Sequence, residues 1–267
     1  MGLLSMEQEK IAAIKSQDIK KFFHNYLESI GETGDIGFAK FERIYDALIP
    51  VQQEKLRLIT GRRFEMLLDS GSFISIGISY RDPVIDFIDS KDKQEVDYQR
   101  WNRYALEYHR LNQILNRVSR LIATRFDGIA LSATIGGVIE KVNHVSDYFG
   151  MVISHRVVAE KSGIGWRGKN QLTIHDKFSC AIRFASIIVP FSLTWGEESE
   201  SRCGTCIACE EACSFIRNRD ILPDFRENCR RYILFLKSQG IEKDICGKCI
   251  KACYQNSNFH NIFSLPS

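Results

Sequence analysis

No apolar run in this 267-residue sequence approaches the length needed to cross a bilayer. The opening MGLLSMEQEKIAAIK becomes charged too soon to supply the apolar region and small-residue cleavage site of a secretory signal. A cytoplasmic protein without membrane contact is therefore expected. Net charge is also scarce: 36 Lys and Arg against 33 Asp and Glu leave +3, spread along the chain. Electrostatics thus give no argument for nucleic acid, and a tRNA partner finds no support in composition. No repeat of solenoid length is visible. The balance of 44% hydrophobic and 26% charged residues is that of an ordinary globular chain, and the length allows one large domain, or a large and a small one, with a real core.

Cysteine, by contrast, is plentiful and uneven. Cys180 stands alone, and the other eight of the nine fall between Cys203 and Cys253. Without an export signal, thiols in such numbers are metal ligands or catalysts more often than disulfides. The asymmetry divides the chain into residues 1–195 and 196–267. In the first part, Ile11 to Ile30 has the pattern of an amphipathic helix, Gly31 to Gly37 reads as a turn, and Arg57 to Leu68 suggests another helix. Ser72 to Tyr80, SFISIGISY, has the composition of a buried strand at the centre of a sheet. A long helix follows over Tyr98 to Phe126, broken by Gly128, with further strands at Ile129 to Thr134 and Ala181 to Val189. The fold class expected is α+β, with the tail Tyr254 to Ser267 peripheral.

The first cysteine motif, Cys203-Gly-Thr-Cys206-Ile-Ala-Cys209-Glu-Glu-Ala-Cys213, is the C-x2-C-x2-C-x3-C run of two-cluster ferredoxins, whose fourth cysteine ligates the other cluster. The second, Cys246-Gly-Lys-Cys249-Ile-Lys-Ala-Cys253, lacks one internal cysteine, which Cys229 can supply. Eight thiolates for two 4Fe–4S clusters then divide by the usual exchange: Cys203, Cys206, Cys209 and Cys253 for one, Cys213, Cys229, Cys246 and Cys249 for the other. A tight loop can aim successive sulfurs at neighbouring iron corners, and the three-residue gap carries the last thiol about one helical turn away. Structural zinc is the alternative, since paired C-x2-C also suits a tetrahedral site. Ser214 and Tyr254 stand where such motifs usually place proline. Cys180 reads as a buried small hydrophobe.

Ala159 to Asn170, AEKSGIGWRGKN, resembles the AEKAGLGWxGKN signature of the epoxyqueuosine reductases, relatives of the reductive dehalogenases. The cysteine motifs follow at the family's spacing, and Cys229, in NCRRYILF, stands where the family has its isolated cysteine. Weaker likenesses reach Gly31 to Ala39, the strand ending at Tyr80, and the stretch around Arg103 and His109. The resemblance implies a sheet-and-helix domain of the corrinoid and nitroreductase kind followed by a ferredoxin-like module. It implies base-off cobalamin near the clusters, and an external electron donor such as a flavodoxin or ferredoxin. Gly163, Gly165, Trp166, Gly168, Lys169 and Asn170 would then approach the cofactor, and Tyr104, Tyr108 and His109 would line its pocket.

From the residues alone, the glycines serve equally as a tight turn, and aromatics at helical spacing are more often core. Two departures from the family are visible. A gapless count puts Phe149 where the family has its catalytic aspartate, making Asp147, two residues earlier, the candidate acid. The chain also ends soon after the second motif, without the family's helical-repeat domain associated with tRNA. The reading is a cobalamin-dependent iron–sulfur reductase whose substrate can differ from epoxyqueuosine tRNA. The alternatives are an electron-transfer or corrinoid-reducing partner without catalysis, and a binding or sensing protein that uses the clusters structurally.

Overall fold

The computed structural model describes residues 2–81, 83–133, 139–222 and 224–256; Thr134 and the tail after residue 256 lie outside them. Along the chain run α1 (Gly2–Ser29), β1 (Gly34–Lys40), α2 (Phe41–Ala47), α3 (Pro50–Thr60), α4 (Phe64–Ser70) and β2 (Ser72–Ser79). A short hairpin of β3 (Lys91–Asp92) and β4 (Glu95–Val96) leads into α5 (Tyr98–Arg125) and β5 (Ile129–Leu131). Next come α6 (Val145–Met151), α7 (His155–Lys161), β6 (Trp166–Arg167), β7 (Thr173–Ile174) and β8 (Ile182–Val189). The cysteine-rich region forms α8 (Ala208–Ala212), α9 (Ser214–Arg217), α10 (Phe225–Ser238) and α11 (Lys248–Asn256).

Strands β1, β2, β8 and β5 make a four-stranded sheet in that order, antiparallel throughout, with Ile36 opposite Ile76 and Ile76 opposite Ala185. Every residue of β2 is buried, as its unbroken apolar and small composition predicts for a central strand covered on both faces. One face carries Ile74, Ile76 and Ile78 of β2 and Ile187 of β8 against Ile19, Phe23 and Leu27 of α1 and Leu111, Leu115 and Val118 of α5. The other carries Phe73 and Ile188 against Phe41 of α2, Leu56 of α3, Phe64 and Leu67 of α4, and Val157 and Val158 of α7. Each such fully buried side chain contributes roughly 1.5–3 kcal/mol of transfer free energy. Leu236 of α10, with Ile241 and Ile245 after it, belongs to the first of these cores.

Two local expectations change. The turn read over Gly31 to Gly37 ends at Thr33, because Gly34 and Gly37 are strand residues. Glycine is required at Gly34 by close packing, since a Cβ there would stand 2.0 Å from the Gly77 carbonyl oxygen. The helix read over Arg57 to Leu68 is two helices, interrupted by Gly61 at φ 51° and a 3-10 turn to Arg63. Gly61 adopts the left-handed conformation that glycine tolerates and that ends a helix.

Candidate metal centre and cavity

The thiols are delivered by short helices and turns that the rest of the chain braces. The Cys206 amide donates to the Cys203 carbonyl at 2.9 Å, closing a turn through Gly204, and Cys209 lies on α8. Cys213 joins α8 to α9, Cys229 sits on α10, and Cys249 and Cys253 are one turn apart on α11. Lys169 donates from Nζ to the carbonyls of Gly204 (2.8 Å) and Cys206 (2.9 Å), pinning the first cysteine loop. The second loop is held by the Trp101 indole, which donates to the Cys246 carbonyl at 2.8 Å, and by Lys251, which donates to the carbonyls of Asp86 and Ile88.

All nine cysteines are free thiols. Burial pushes the Cys209 thiol up to about 11, and its thiol neighbours Cys253, Cys203 and Cys206 add to the effect. Burial likewise pushes Cys229 up to about 11 and Cys246 up to about 12, and raises Cys249. The neighbours of Cys249 are Cys246, Cys213 and Cys229, with Cys209 the weakest. By these electrostatic neighbours Cys253, Cys203 and Cys206 go with Cys209, the first group, and Cys246, Cys213 and Cys229 with Cys249, the second.

At Cys209, Cys229, Cys246 and Cys249 burial outweighs the positive charge that Arg226 brings to Cys229 and Lys248 to Cys246, and a metal centre would supply further charge while displacing the protons. Among the described residues, no three His, Cys, Asp or Glu side chains converge tightly enough to hold a single metal ion. Thiol sets of this kind suit a tetrahedral zinc or an iron–sulfur cluster. The donor chemistry of both groups fits an iron–sulfur cluster.

A cavity of about 660 Å³ opens beside the second group, and Cys213, Cys229, Cys246 and Cys249 all line it. Its other walls are largely apolar and aromatic, among them Tyr108, Tyr148, Phe149, Phe184 and Phe215. Arg183 on β8 lies 4.3 Å from the Tyr108 ring centroid and donates to Asn112 Oδ1 at 3.3 Å. Among the described residues, neither Arg183 nor Arg226, which also lines the cavity, has a carboxylate partner within ion-pair distance. The acidic side chain on the wall, Asp244, is held by Lys237 at 2.9 Å.

His155 lines the same cavity between the Ser132 carbonyl, 2.8 Å from Nε2, and the Ser186 hydroxyl, 2.9 Å from Nδ1. Nε2 must donate to the carbonyl, so Nδ1 accepts from serine. Burial outweighs the carbonyl bond and pushes this imidazole down to about 4. It is neutral at pH 7.

Of the cofactor-contact residues read from the sequence, Tyr108 and Asn170 line the cavity. Tyr104 is fully buried, packed against the Gly247 backbone and 5.1 Å from the Tyr80 ring. His109 is exposed and pairs with Gln113 at 3.1 Å. The glycine-rich signature makes its close approaches to the protein itself: a Cβ on Gly165 would stand 2.1 Å from the Ile174 carbonyl oxygen, across the β6–β7 pair. A Cβ on Gly163 would meet the Glu197 carbonyl oxygen and one on Gly168 the side chains of Asn170 and Ile174, and Trp166 is buried beside Ile174 and Cys180. Asp147 is exposed, its carboxylate accepting from the His144 amide at 3.1 Å in a capping box that starts α6. Its neighbour Phe149 faces the cavity. Sequence reasoning missed His155, Arg183 and Arg226. For Arg183 the signal was there: it is a charge in the otherwise uncharged stretch AIRFASIIV.

No family model matches the sequence. The epoxyqueuosine reductase of Vibrio cholerae is 27% identical over 158 residues, covering 58% of this chain and 39% of its own. That of Escherichia coli is 25% identical over 181 residues, covering 67% and 43%. The chain thus spans about two fifths of the length of these curated relatives. Among solved structures, the epoxyqueuosine reductase of Streptococcus thermophilus aligns over 94% of this chain and 68% of its own, at 18% identity and a TM-score of 0.47. At the level of sequence, these likenesses support a reductase related at low identity to epoxyqueuosine reductases.

Proposed function

We propose that this chain is an iron–sulfur reductase: Cys203, Cys206, Cys209 and Cys253 hold one 4Fe–4S cluster, Cys213, Cys229, Cys246 and Cys249 hold a second, and the adjoining cavity takes a corrinoid. The observation that carries the reading is that all four thiols of the second group border the cavity that also holds Tyr108, Arg183 and His155. When bound, the clusters would supply single electrons and the corrinoid a reducing cobalt centre. The chain's own contribution is the site's shape and charge. Tyr108, Phe149 and Phe184 offer flat apolar contact, while Arg183 and Arg226 supply positive charge without a facing carboxylate. His155, neutral and tied at both ring nitrogens, positions the wall without offering a proton at pH 7. Reloading the clusters calls for an external donor of the flavodoxin or ferredoxin kind. The substrate need not be the epoxyqueuosine of the relatives' name, since Phe149 and not an acid faces the cavity.

That same phenylalanine favours a second reading, in which the clusters serve a corrinoid held by another protein. One experiment separates the two. Anaerobic purification with iron and sulfide assay should give about eight irons per chain, and Cys229→Ala should fall short of that. Added cobalamin should change the visible spectrum of the loaded protein. Full iron with no corrinoid-dependent change rejects the reductase and leaves the electron carrier. Full iron in Cys229→Ala removes that thiol from the ligand set.

A further inference from the structure

Tyr108 and Asn112 stand one helical turn apart on α5 and so share a face, and strand β8 lays Arg183 across them. The guanidinium lies over the Tyr108 ring, 4.3 Å from its centroid, and donates from Nε and Nη2 to Asn112 Oδ1 at 3.4 and 3.3 Å. One edge of the group is thus spent on Asn112 and one face on the ring. The Nη1 hydrogens and the outer Nη2 hydrogen make no bond among the described residues. Together they are the fork that matches one edge of a carboxylate or a phosphate.

The other cations of the cavity wall are already engaged. Arg230 pairs with Glu227 at 2.7 Å, Arg156 with Glu160 at 3.9 Å and Lys248 with Asp89 at 3.1 Å. Arg226, three residues before Cys229 on α10, brings its charge to that thiol. His155 has both ring nitrogens tied to protein partners. Arg183 alone on this wall is half-buried with neither a carboxylate nor a thiol to answer it among the described residues. A guanidinium cannot shed its charge to escape the cost of burial, so the cost is offset when a ligand brings the anion. Resting on the reductase reading above, we infer that Arg183 is the anchor for an anionic group, a carboxylate or a phosphate, on the molecule reduced in this cavity, whose aromatic wall seats the apolar remainder.

The test is titration calorimetry on the anaerobically loaded full chain with benzoate, phenyl phosphate and the neutral isostere benzamide. At least one of the two anions should bind about tenfold more tightly than benzamide, in keeping with charge-assisted hydrogen bonds. Arg183→Met should remove that preference, and Arg183→Lys, which keeps the charge without the fork, should keep part of it. Should Arg183→Met fail to fold, Arg183→Gln, which retains a donor for Asn112, takes its place. Three probes bound alike by the wild type, or a preference that survives the loss of the guanidinium, overturns the inference while the reductase reading stands. Cobalamin carries a phosphate of its own in its nucleotide loop, and cobinamide does not, so visible titrations with both corrinoids separate the two sources of an anion. Arg183→Met should leave their relative affinities at the wild-type ratio. Cobalamin weakened alone, with benzoate displaced as it binds, gives the fork to the cofactor and overturns the substrate class, again with the reductase reading intact. A wild type that loads no iron, or whose spectrum no corrinoid changes, overturns that reading, and the substrate assignment falls with it.

Discussion

His155 shows how a single side chain ties the cavity to stability. Its ordinary pKa is 6.5 and the folded environment lowers it to about 4. Between those values the unfolded chain takes up a proton that the folded one refuses, so stability falls as pH drops from about 6.5 to about 4 and is unaffected by this residue above that window. Denaturant unfolding across pH should show the fall in wild type and a flatter profile in His155→Gln. Equal slopes in the two proteins would refute the assignment. Asp147 supplies the contrasting case. Because its carboxylate closes a capping box on an exposed helix start, Asp147→Ala should cost about 1 kcal/mol of stability. It should leave the cobalamin-dependent spectrum unchanged, and a lost spectral change would return Asp147 to the cavity chemistry.

At the scale of elements, α10 does more than present Cys229. Glu227 accepts from the Val145 amide at 2.9 Å, while Arg230 binds the Glu227 carboxylate at 2.7 and 2.8 Å and donates to the carbonyls of Ile139, Val142 and Asn143. This buried pair fastens the segment that leads into α6, and hence Tyr148 and Phe149, to the helix that carries a thiol. The Arg230 hydrogen bonds hold the Glu227 carboxyl down at about 2. Its contribution is therefore fully present above pH 4.5 and is lost only as pH falls towards 2. Glu227→Gln leaves a buried guanidinium short of its partner and should cost roughly 3 kcal/mol in chemical denaturation at pH 7. A loss under about 0.5 kcal/mol, the range of ordinary surface changes, would show the pair to be dispensable.

Strands β2 and β8 and helix α5 were legible because their pattern and their burial coincide, over long stretches. Strand β1 was not, since glycine is written the same way whether it turns the chain or lets two strands approach. The cysteine spacing likewise leads directly to the ligand assignment proposed above. The service of Lys169 and Gly165 to protein contacts is invisible without the partners they meet, Gly204, Cys206 and Ile174.

Taken whole, the molecule is a sheet covered by helices on both faces, with Cys246 packed against the first of its cores. The change in cysteine use near residue 195 is plain in the sequence, whereas the seating of Leu236 beside residues of α5 depends on long-range packing that no local pattern encodes. Leu236 is completely buried, so Leu236→Ala should lose about 2–5 kcal/mol. The unfolding seen by circular dichroism and the release of iron should move together. Iron lost well before the helices melt would mean that the cysteine region opens by itself.

The place of Ile245 in that core bears on how the protein is made. Ile241 and Ile245 pack with strands and helices formed from the first half of the chain, and the next residue is Cys246. A nascent chain leaving the ribosome cannot complete this core until nearly the last thiols have emerged. Six of the eight clustered cysteines precede or immediately follow that moment, and Cys249 and Cys253 come after it. The packing of this core is therefore completed only once most of the cysteine-rich region has been made.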